Sequence, residues 1–254
     1  STSIKLLMER PQMDVNKLDF DADKMLDGLQ RWVLCESPSY DRTAVNRMQD
    51  IAAHDLVVMG ANVERITPHP LAGDCIRARL PHPDAGAPGI LILGHMDTVH
   101  PIGTLAKLPI RRDGNLCYGP GIADMKGGNY LALEAIHQLA NVGAQTPLPI
   151  TVLFTSDEEI GSPYTRNLIE AEARRAIAVL VPEPARRGNG VTSGRYAVAR
   201  YHVRTVGRPS HAGLRLSEGR SAIRKIAETT IAIESMSRDD CTFSVGVIHA
   251  GKWV

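Results

Sequence analysis

The sequence lacks the features that are typical of membrane-spanning, nucleic-acid-binding and nucleotide-binding proteins. No stretch approaches the roughly 18 to 20 apolar residues that a membrane-spanning helix needs. The 29 basic and 28 acidic residues nearly balance, so no excess charge favours binding to nucleic acid or to an anionic membrane. The phosphate-binding patterns GxxxxGK(S/T) and GxGxxG are both absent. We therefore expect neither nucleic acid nor a membrane as partner.

Cysteine is also scarce, and the four residues are dispersed without a CxxC pair. Dispersed cysteines are typical of reduced thiols, which indicates a cytoplasmic protein. Residues 1–11 contain no long apolar run and no cleavage pattern of small residues. One alternative stays open: a signal peptide could have been removed before residue 1, because the chain does not begin with Met.

Three short, continuous apolar runs predict strands that are buried on both faces, at 89–93, 149–154 and 176–181. Helical patterns at about 125–140 and 164–174 separate them. We therefore predict an α/β fold with a mostly parallel sheet flanked by helices. In such sheets the active site collects at the carboxyl ends of the strands.

The residues before these runs predict two helices and two strands. Asp21 or Asp23 is placed to cap a helix that ends near residue 37, and a second helix spans about 43–59. Segments 62–66 and 74–80 read as strands.

A glycine-rich segment at 186–194 predicts a hinge, so we divide the chain into domains at 1–190 and 191–254. The second domain has a β-α-β pattern, with a strand at 195–206, a helix at 217–237 and a strand at 241–250.

Each apolar run is followed directly by residues that can bind metal, and a further acid precedes a predicted helix. In chain order they are His95, Asp97, Asp124, Glu158, Glu159 and Glu183. Singly, each has a simpler explanation, such as a helix cap or a solvated acidic pair. Together at one sheet edge, so many carboxylates would repel one another unless cations were bound among them. Nitrogen and oxygen ligands without thiolate favour two Zn²⁺, with Mn²⁺ or Co²⁺ as substitutes.

The chemistry of these residues suggests a division of roles. Asp97 is placed to accept the ring N–H of His95 that does not face metal. Of the adjacent Glu158 and Glu159, one would bind metal while the other takes a proton from water.

From about residue 20 onward, five motifs resemble a family of two-zinc metallohydrolases. The family comprises glutamate carboxypeptidases, aminoacylases, acetylornithine deacetylases and succinyl-diaminopimelate desuccinylases, and the sequence is most similar to the bacterial glutamate carboxypeptidases. The motifs are GHMDTV, GPGIADMKGG, TSDEEIGS, PEP and GRPSHAG, in that order. The resemblance implies that His95 and Glu183 bind one zinc, that Asp124 bridges both, and that Glu159 binds the other.

The resemblance also implies the catalytic roles. Glu158 would be the general base, Asp97 the orienting carboxylate, and a hydroxide that bridges the metals the nucleophile. His211 would reach across a homodimer interface to the substrate, although Pro209 departs from the family pattern. Residues 1–190 would form the catalytic zinc-binding domain, and 191–254 the first half of an inserted α+β lid and dimerisation domain.

By the same resemblance, the last zinc ligand is a histidine in a C-terminal return segment that is missing from this chain. The implied reaction is hydrolysis of an amide bond adjacent to a free carboxylate, as in peptides that end in glutamate. An N-acyl-amino-acid deacylase, of the acetylornithine or succinyl-diaminopimelate type, is the alternative. An alternative of another class is a non-catalytic metal-binding or dimerisation fragment.

Overall fold

The computed structural model describes residue 14 and residues 17–251, apart from 187, 189 and 196. The chain divides after Thr192 into two compact units. No helix among the described residues is long and apolar enough to cross a lipid bilayer.

Among its described residues, the first unit contains four α-helices and seven strands. The helices are α1 (Ala22–Leu34), α2 (Arg42–Val58), α3 (Gly127–Asn141) and α4 (Arg166–Ala173). The strands are β1 (Asn62–Ile66), β2 (Cys75–Arg79), β3 (Ile90–His95), β4 (Arg111–Asp113), β5 (Leu116–Tyr118), β6 (Ile150–Thr155) and β7 (Ala178–Leu180). The helices and strands predicted for this unit are present, with ends that differ by a few residues.

Five strands form one mixed sheet in the order β1-β2-β6-β3-β7, and β4 pairs with β5 in a separate hairpin. Strand β3 runs parallel to both β6 and β7, and His95 is in register with Thr155 at its carboxyl end. The predicted α/β fold, with helices around the sheet, is confirmed. The sheet is mixed because β1 and β2 add two antiparallel pairings to the parallel strands.

Local sequence signals explain where the first two helices begin and end. The Asp21 carboxylate accepts hydrogen bonds from two backbone amides in the first turn of α1, and Asp41 caps α2 in the same way. After α2 the chain turns at Gly60, whose φ of +81° suits glycine far better than other residues.

The apolar residues of the strands alternate between two cores, one on each face of the sheet. Helices α1, α2 and α3 cover one face, where Trp32 and Leu56 pack with Ile92 and Val152. Helix α4 covers the other face, over the cluster around Leu153. Both faces of the central strands are therefore buried, as their continuous apolar runs predict.

The prediction that the third apolar run is buried on both faces is wrong. All three residues of β7 are exposed. The reason is the position of the strand, because β7 lies at the edge of the sheet and pairs with β3 alone among the described residues.

The second unit contains α5 (Ala222–Glu234), which Ser221 caps and which falls within the predicted helix. A short 3-10 turn, Leu216–Glu218, precedes it. The predicted strands at 195–206 and 241–250 are wrong, because the described residues of these ranges form no strand ladder. An alternating pattern indicates only that one face of the segment is apolar. A strand also needs a second strand that forms hydrogen bonds with its backbone. Val198 and Val247, for instance, remain exposed.

Candidate metal centre

The carboxyl ends of the two central parallel strands carry four of the predicted site residues. His95 is the last residue of β3, and Asp97 follows two positions later. After β6 the chain forms a 3-10 turn, Glu158–Ile160, whose first two residues are Glu158 and Glu159. Because these strand ends are in register, the two pairs of residues lie side by side.

The remaining two predicted ligands, Asp124 and Glu183, come from two segments that lie beside the start of α3. Asp124 lies in the turn Ile122–Lys126 before α3, where its own backbone angles (φ −124°, ψ 97°) are not helical, and its peptide bond to Met125 is cis. Glu183 follows β7. Helix α3 approaches this segment so closely that a Cβ on Gly128 would lie 1.7 Å from the carbonyl oxygen of Pro182. Glycine at 128 therefore permits the approach that places Glu183.

The His95 ring lies at the centre of these carboxylates. Its Nε2 atom is 3.1 Å from Asp124 Oδ1, 3.6 Å from Glu183 Oε1 and 3.8 Å from Glu158 Oε2. Ligand atoms of His95, Glu158 and Glu183 all lie within 4.8 Å of one another, and so do those of His95, Asp124 and Glu159. The structure thus brings together these five of the predicted site residues.

Asp97 is fully buried and connects the two strand ends. Its carboxylate accepts hydrogen bonds from the backbone amides of Glu158 and Glu159, each at 3.2 Å. The predicted hydrogen bond between the His95 ring and Asp97 involves a different oxygen atom than the carboxylate. The Nδ1 atom lies 2.9 Å from the backbone carbonyl oxygen of Asp97 and 3.4 Å from its carboxylate, so the carbonyl is the nearer acceptor.

The electrostatics of the group fit a bound cation. Burial raises the pKa of Glu159 to about 7, and the charge of Asp124 adds to this effect. Burial also raises the pKa of Glu158. Burial alone would lower the pKa of His95, but hydrogen bonds to Asp97 and Glu183 outweigh it and raise the pKa to about 11. Without a metal ion, bound protons therefore reduce the repulsion among the carboxylates. A divalent cation would replace these protons and supply positive charge in their place. Imidazole and carboxylate donors are a suitable set for such an ion.

Comparison with known proteins agrees with this geometry. Residues 91–247 match the sequence profile of Peptidase family M20/M25/M40. The chain belongs to this family. The membership predicted from the five motifs is thus confirmed, and members of the M20 family are metal-dependent peptidases and related hydrolases.

Two curated relatives are similar in sequence to this M20 chain. Carboxypeptidase G2 from Pseudomonas sp. (strain RS-16) is 40% identical over 156 residues, which cover 61% of this chain and 37% of the relative. Acetylornithine deacetylase from Myxococcus xanthus is 31% identical over 183 residues, which cover 66% of this chain and 46% of the relative. The match thus spans less than half the length of either relative.

Solved structures support the fold. A tripeptidase from Staphylococcus aureus superposes with a TM-score of 0.62 at 18% identity, over 84% of this chain and 56% of that chain. At this identity the likeness concerns the fold alone.

Sequence reasoning missed several residues that contact the segments of the M20 centre, and Lys126 and Ser39 are two of them. Lys126 is fully buried, and its ammonium group donates hydrogen bonds to the carbonyl oxygens of Trp32 and Cys35 at the end of α1. Burial lowers the pKa of Lys126 to about 8. Its presence two positions after Asp124 in the GPGIADMKGG motif is a signal that could have indicated a role. The second residue is Ser39, which carries no local signal and is considered in the Discussion.

The predicted catalytic residue His211 belongs to the second unit. It is exposed, and its Nδ1 atom accepts a hydrogen bond from the backbone amide of Gly213 at 3.2 Å. This contact holds the ring within its own turn, and the role of His211 towards substrate stays a prediction.

Proposed function

We propose that this chain provides most of the active site of a zinc-dependent hydrolase that cleaves an amide bond adjacent to a free carboxylate. Peptides that end in glutamate, or related amides, are the proposed substrates. One observation carries the proposal: a single imidazole and four carboxylates, from four separate segments, converge at the carboxyl edge of the sheet. The 40% identity with carboxypeptidase G2 supports cleavage next to a C-terminal carboxylate.

In this proposal four residues bind two zinc ions. His95 and Glu183 would hold one ion, Glu159 would hold the other, and Asp124 would be a ligand of both. Ligand atoms of Asp124 lie within 4.8 Å of those of His95 and Glu159, which are assigned to different ions, and this supports the shared role of Asp124. When bound, the cations would acidify water and stabilise the negative charge that develops on the substrate carbonyl.

Glu158 is the proposed general base. Its side chain is about half exposed, so it can reach both solvent and substrate, while its backbone amide is fixed by Asp97. The carboxylate takes a proton from the attacking water as the new C–O bond forms at the amide carbon. It then gives that proton to the leaving nitrogen as the C–N bond breaks. The products are a carboxylate and an amine, and Glu158 is regenerated.

The remaining parts of the proposal rest on the family resemblance. His211 would assist substrate binding across a homodimer formed through residues 191–254, the proposed lid and dimerisation domain. Residues 1–190 would be the catalytic domain. We also propose a cytoplasmic location, and the four free cysteines are compatible with it.

A deacylase is the second candidate. The 31% identity with acetylornithine deacetylase favours it, because the same residues can cleave an N-acyl amino acid through the same steps. A non-catalytic metal-binding or dimerisation fragment is the candidate from another class, and it needs no base at position 158.

The test combines metal analysis with hydrolysis assays on the full-length protein. We expect bound zinc by elemental analysis, and hydrolysis within a panel of N-peptidyl and N-acyl amino acids that carry a free carboxylate. Preference for C-terminal glutamate supports the carboxypeptidase, and preference for acetylornithine or succinyl-diaminopimelate supports the deacylase. Absence of hydrolysis across the panel, with or without bound zinc, would favour the non-catalytic alternative.

The variant Glu158→Gln separates the base from the ligands. We expect it to keep its zinc and to lose activity by a factor of about 100 to 10,000, the usual contribution of general base catalysis. Glu228→Gln, which changes an exposed glutamate on α5, is the control and should retain full activity. Unchanged turnover in Glu158→Gln would disprove the role of the base.

A further inference from the structure

Two buried amide side chains contact the strand ends that carry the metal centre. Gln49 of α2 donates from Nε2 to the carbonyl oxygens of Phe154 and Thr155, at 3.3 and 3.1 Å. Asn129 of α3 donates from Nδ2 to the carbonyl oxygen of His95, at 2.8 Å. Both side chains are fully buried. Each helix is therefore tied to the last residues of one central strand.

These amides are poorly explained as contributions to folding stability. The oxygen atoms Gln49 Oε1 and Asn129 Oδ1 have no hydrogen-bond partner in the part of the chain that the structure describes. A buried acceptor without a partner lowers stability. Leucine and methionine have nearly the same shape as asparagine and glutamine and would avoid this cost, but they would take these donors away from the carbonyl oxygens of the strand ends. The gain and the loss in stability roughly offset each other, so what distinguishes the amides is the hold that their donated hydrogen bonds have on the strand ends.

The strand itself is adapted to Asn129. A Cβ atom on Gly94 would lie 1.9 Å from Asn129 Oδ1 and 2.9 Å from Nδ2, so only glycine leaves room for the amide. Glycine inside a strand weakens it and often marks the close approach of another group. Position 94 therefore lacks a side chain where Asn129 packs, directly before the proposed ligand His95.

We infer that Gln49 and Asn129 are positioning residues that set the separation between His95 and the turn with Glu158 and Glu159. The carbonyl oxygen of Thr155 accepts hydrogen bonds both from Gln49 and from the backbone amide of Met96, which joins the two strand ends. Gln49 fixes the end of β6, and Asn129 fixes the end of β3. This inference rests on the proposed function, since it concerns the same metal ions.

The inference predicts a larger effect on metal binding than on stability. Asn129→Leu and Gln49→Met remove the unpaired oxygen atoms together with the donated hydrogen bonds. We expect their thermal midpoints without metal to stay close to that of the wild type, because the gain from the first loss offsets the cost of the second. Their zinc affinity should fall about 10- to 100-fold, the usual effect of losing a group that orients metal ligands. A merely structural role would lower the midpoint and leave the affinity unchanged.

The experiment uses the full-length protein, with zinc affinity measured by competition against a chromophoric chelator. Absorption of the Co²⁺-substituted protein reports the ligand geometry, and we expect both variants to alter that spectrum. The matched control is Asn141→Leu, the same substitution at an exposed position of the same helix, which should change neither quantity. Gln49→Met tests whether Gln49 positions the end of β6. If Asn129→Leu does not fold, this variant alone tests the positioning role.

The outcomes separate this inference from the proposed function. Wild-type affinity and spectrum in both variants would overturn the positioning role while leaving the proposed function intact. A wild-type protein that binds no zinc would overturn both.

Discussion

The hydroxyl group of Ser39 donates a hydrogen bond to the carboxylate of Asp97 at 2.6 Å. Ser39 lies in the loop between α1 and α2, where Pro38 forms a parallel bridge with Thr98. This loop therefore runs beside the residues that follow β3. Ser39 adds a third donor to the carboxylate that already accepts the amides of Glu158 and Glu159.

Ser39→Ala should lower activity as well as stability. A hydrogen bond to a charged group contributes about 1.5–3 kcal/mol, and its loss leaves Asp97 freer to move. We expect kcat/KM to fall about tenfold or more, mainly through kcat, when steady-state kinetics are measured.

Ser37→Ala is the matched control for this prediction. The Ser37 hydroxyl is also buried, but it donates to the carbonyl oxygen of Met96 at 2.7 Å and does not contact Asp97. The control should lose stability with little change in kcat. Equal kinetic losses in the two variants would argue against a specific role for Ser39.

Gly128→Ala should disturb the metal centre through the backbone. Its Cβ would overlap the carbonyl oxygen of Pro182, so either α3 or the segment with Glu183 must shift. We expect a loss of about 1–3 kcal/mol in the free energy of unfolding, measured by urea titration, together with weaker zinc binding. Gly86→Ala serves as control, because no atom lies near its Cβ. Unchanged zinc binding in Gly128→Ala would show that this close approach does not position Glu183.

The metal-free protein should show a particular dependence of stability on pH at Glu159. The pKa of this group rises from 4.5 to about 7 on folding, so the folded state holds the proton more tightly than the unfolded state. Its contribution to stability is therefore present below pH 4.5 and is lost as the pH rises through about 7. Without metal, Glu159→Gln should match the wild type at pH 4.5 and have the higher thermal midpoint at pH 7.5.

Glu170→Gln gives a control of opposite sign. The hydrogen bond from Arg166 lowers the pKa of Glu170, so the carboxylate adds stability at neutral pH and loses this contribution in acid. This variant should be slightly less stable than the wild type at pH 7.5. If the midpoint difference for Glu159→Gln did not change with pH, the raised pKa of Glu159 would be wrong.

Cys75 and Cys241 should differ sharply in reactivity. Burial raises the pKa of the Cys75 thiol to about 12, and the thiolate is the reactive form. Cys241 is exposed. We expect maleimide to label Cys241 in the native protein and Cys75 only after denaturation, as peptide mass spectrometry would show. Rapid native labelling of Cys75 would contradict the described packing of β2.

The sequence predicted the parts of the fold that depend on local patterns. Continuous apolar residues identified β3 and β6, and the capping residue Asp21 identified the start of α1. The exposure of β7 and the lack of strand pairing among the described residues of the second unit were not predictable in the same way. Whether an apolar or alternating segment is covered depends on neighbours that its own residues do not specify.

The predicted ligands could be found from local sequence patterns, whereas the residues that support them could not. His95 and Glu158 were found because each directly follows a recognisable strand. Ser39 and Gln49 were missed because their partners lie 58 and 106 positions away in the chain. A hydrogen bond over such a distance leaves no periodicity or spacing in the sequence.

The parallel register of β3 and β6 also links metal binding to the folding of the chain. Asp97 and the amide of Glu158 are 61 positions apart, so their contact can form only after a slow, long-range pairing of strands. An unfolded chain would scatter the same side chains and hold a cation weakly. Zinc would then bind selectively to molecules whose central strands have already joined, and its concentration would shift the balance between folded and unfolded chains by mass action.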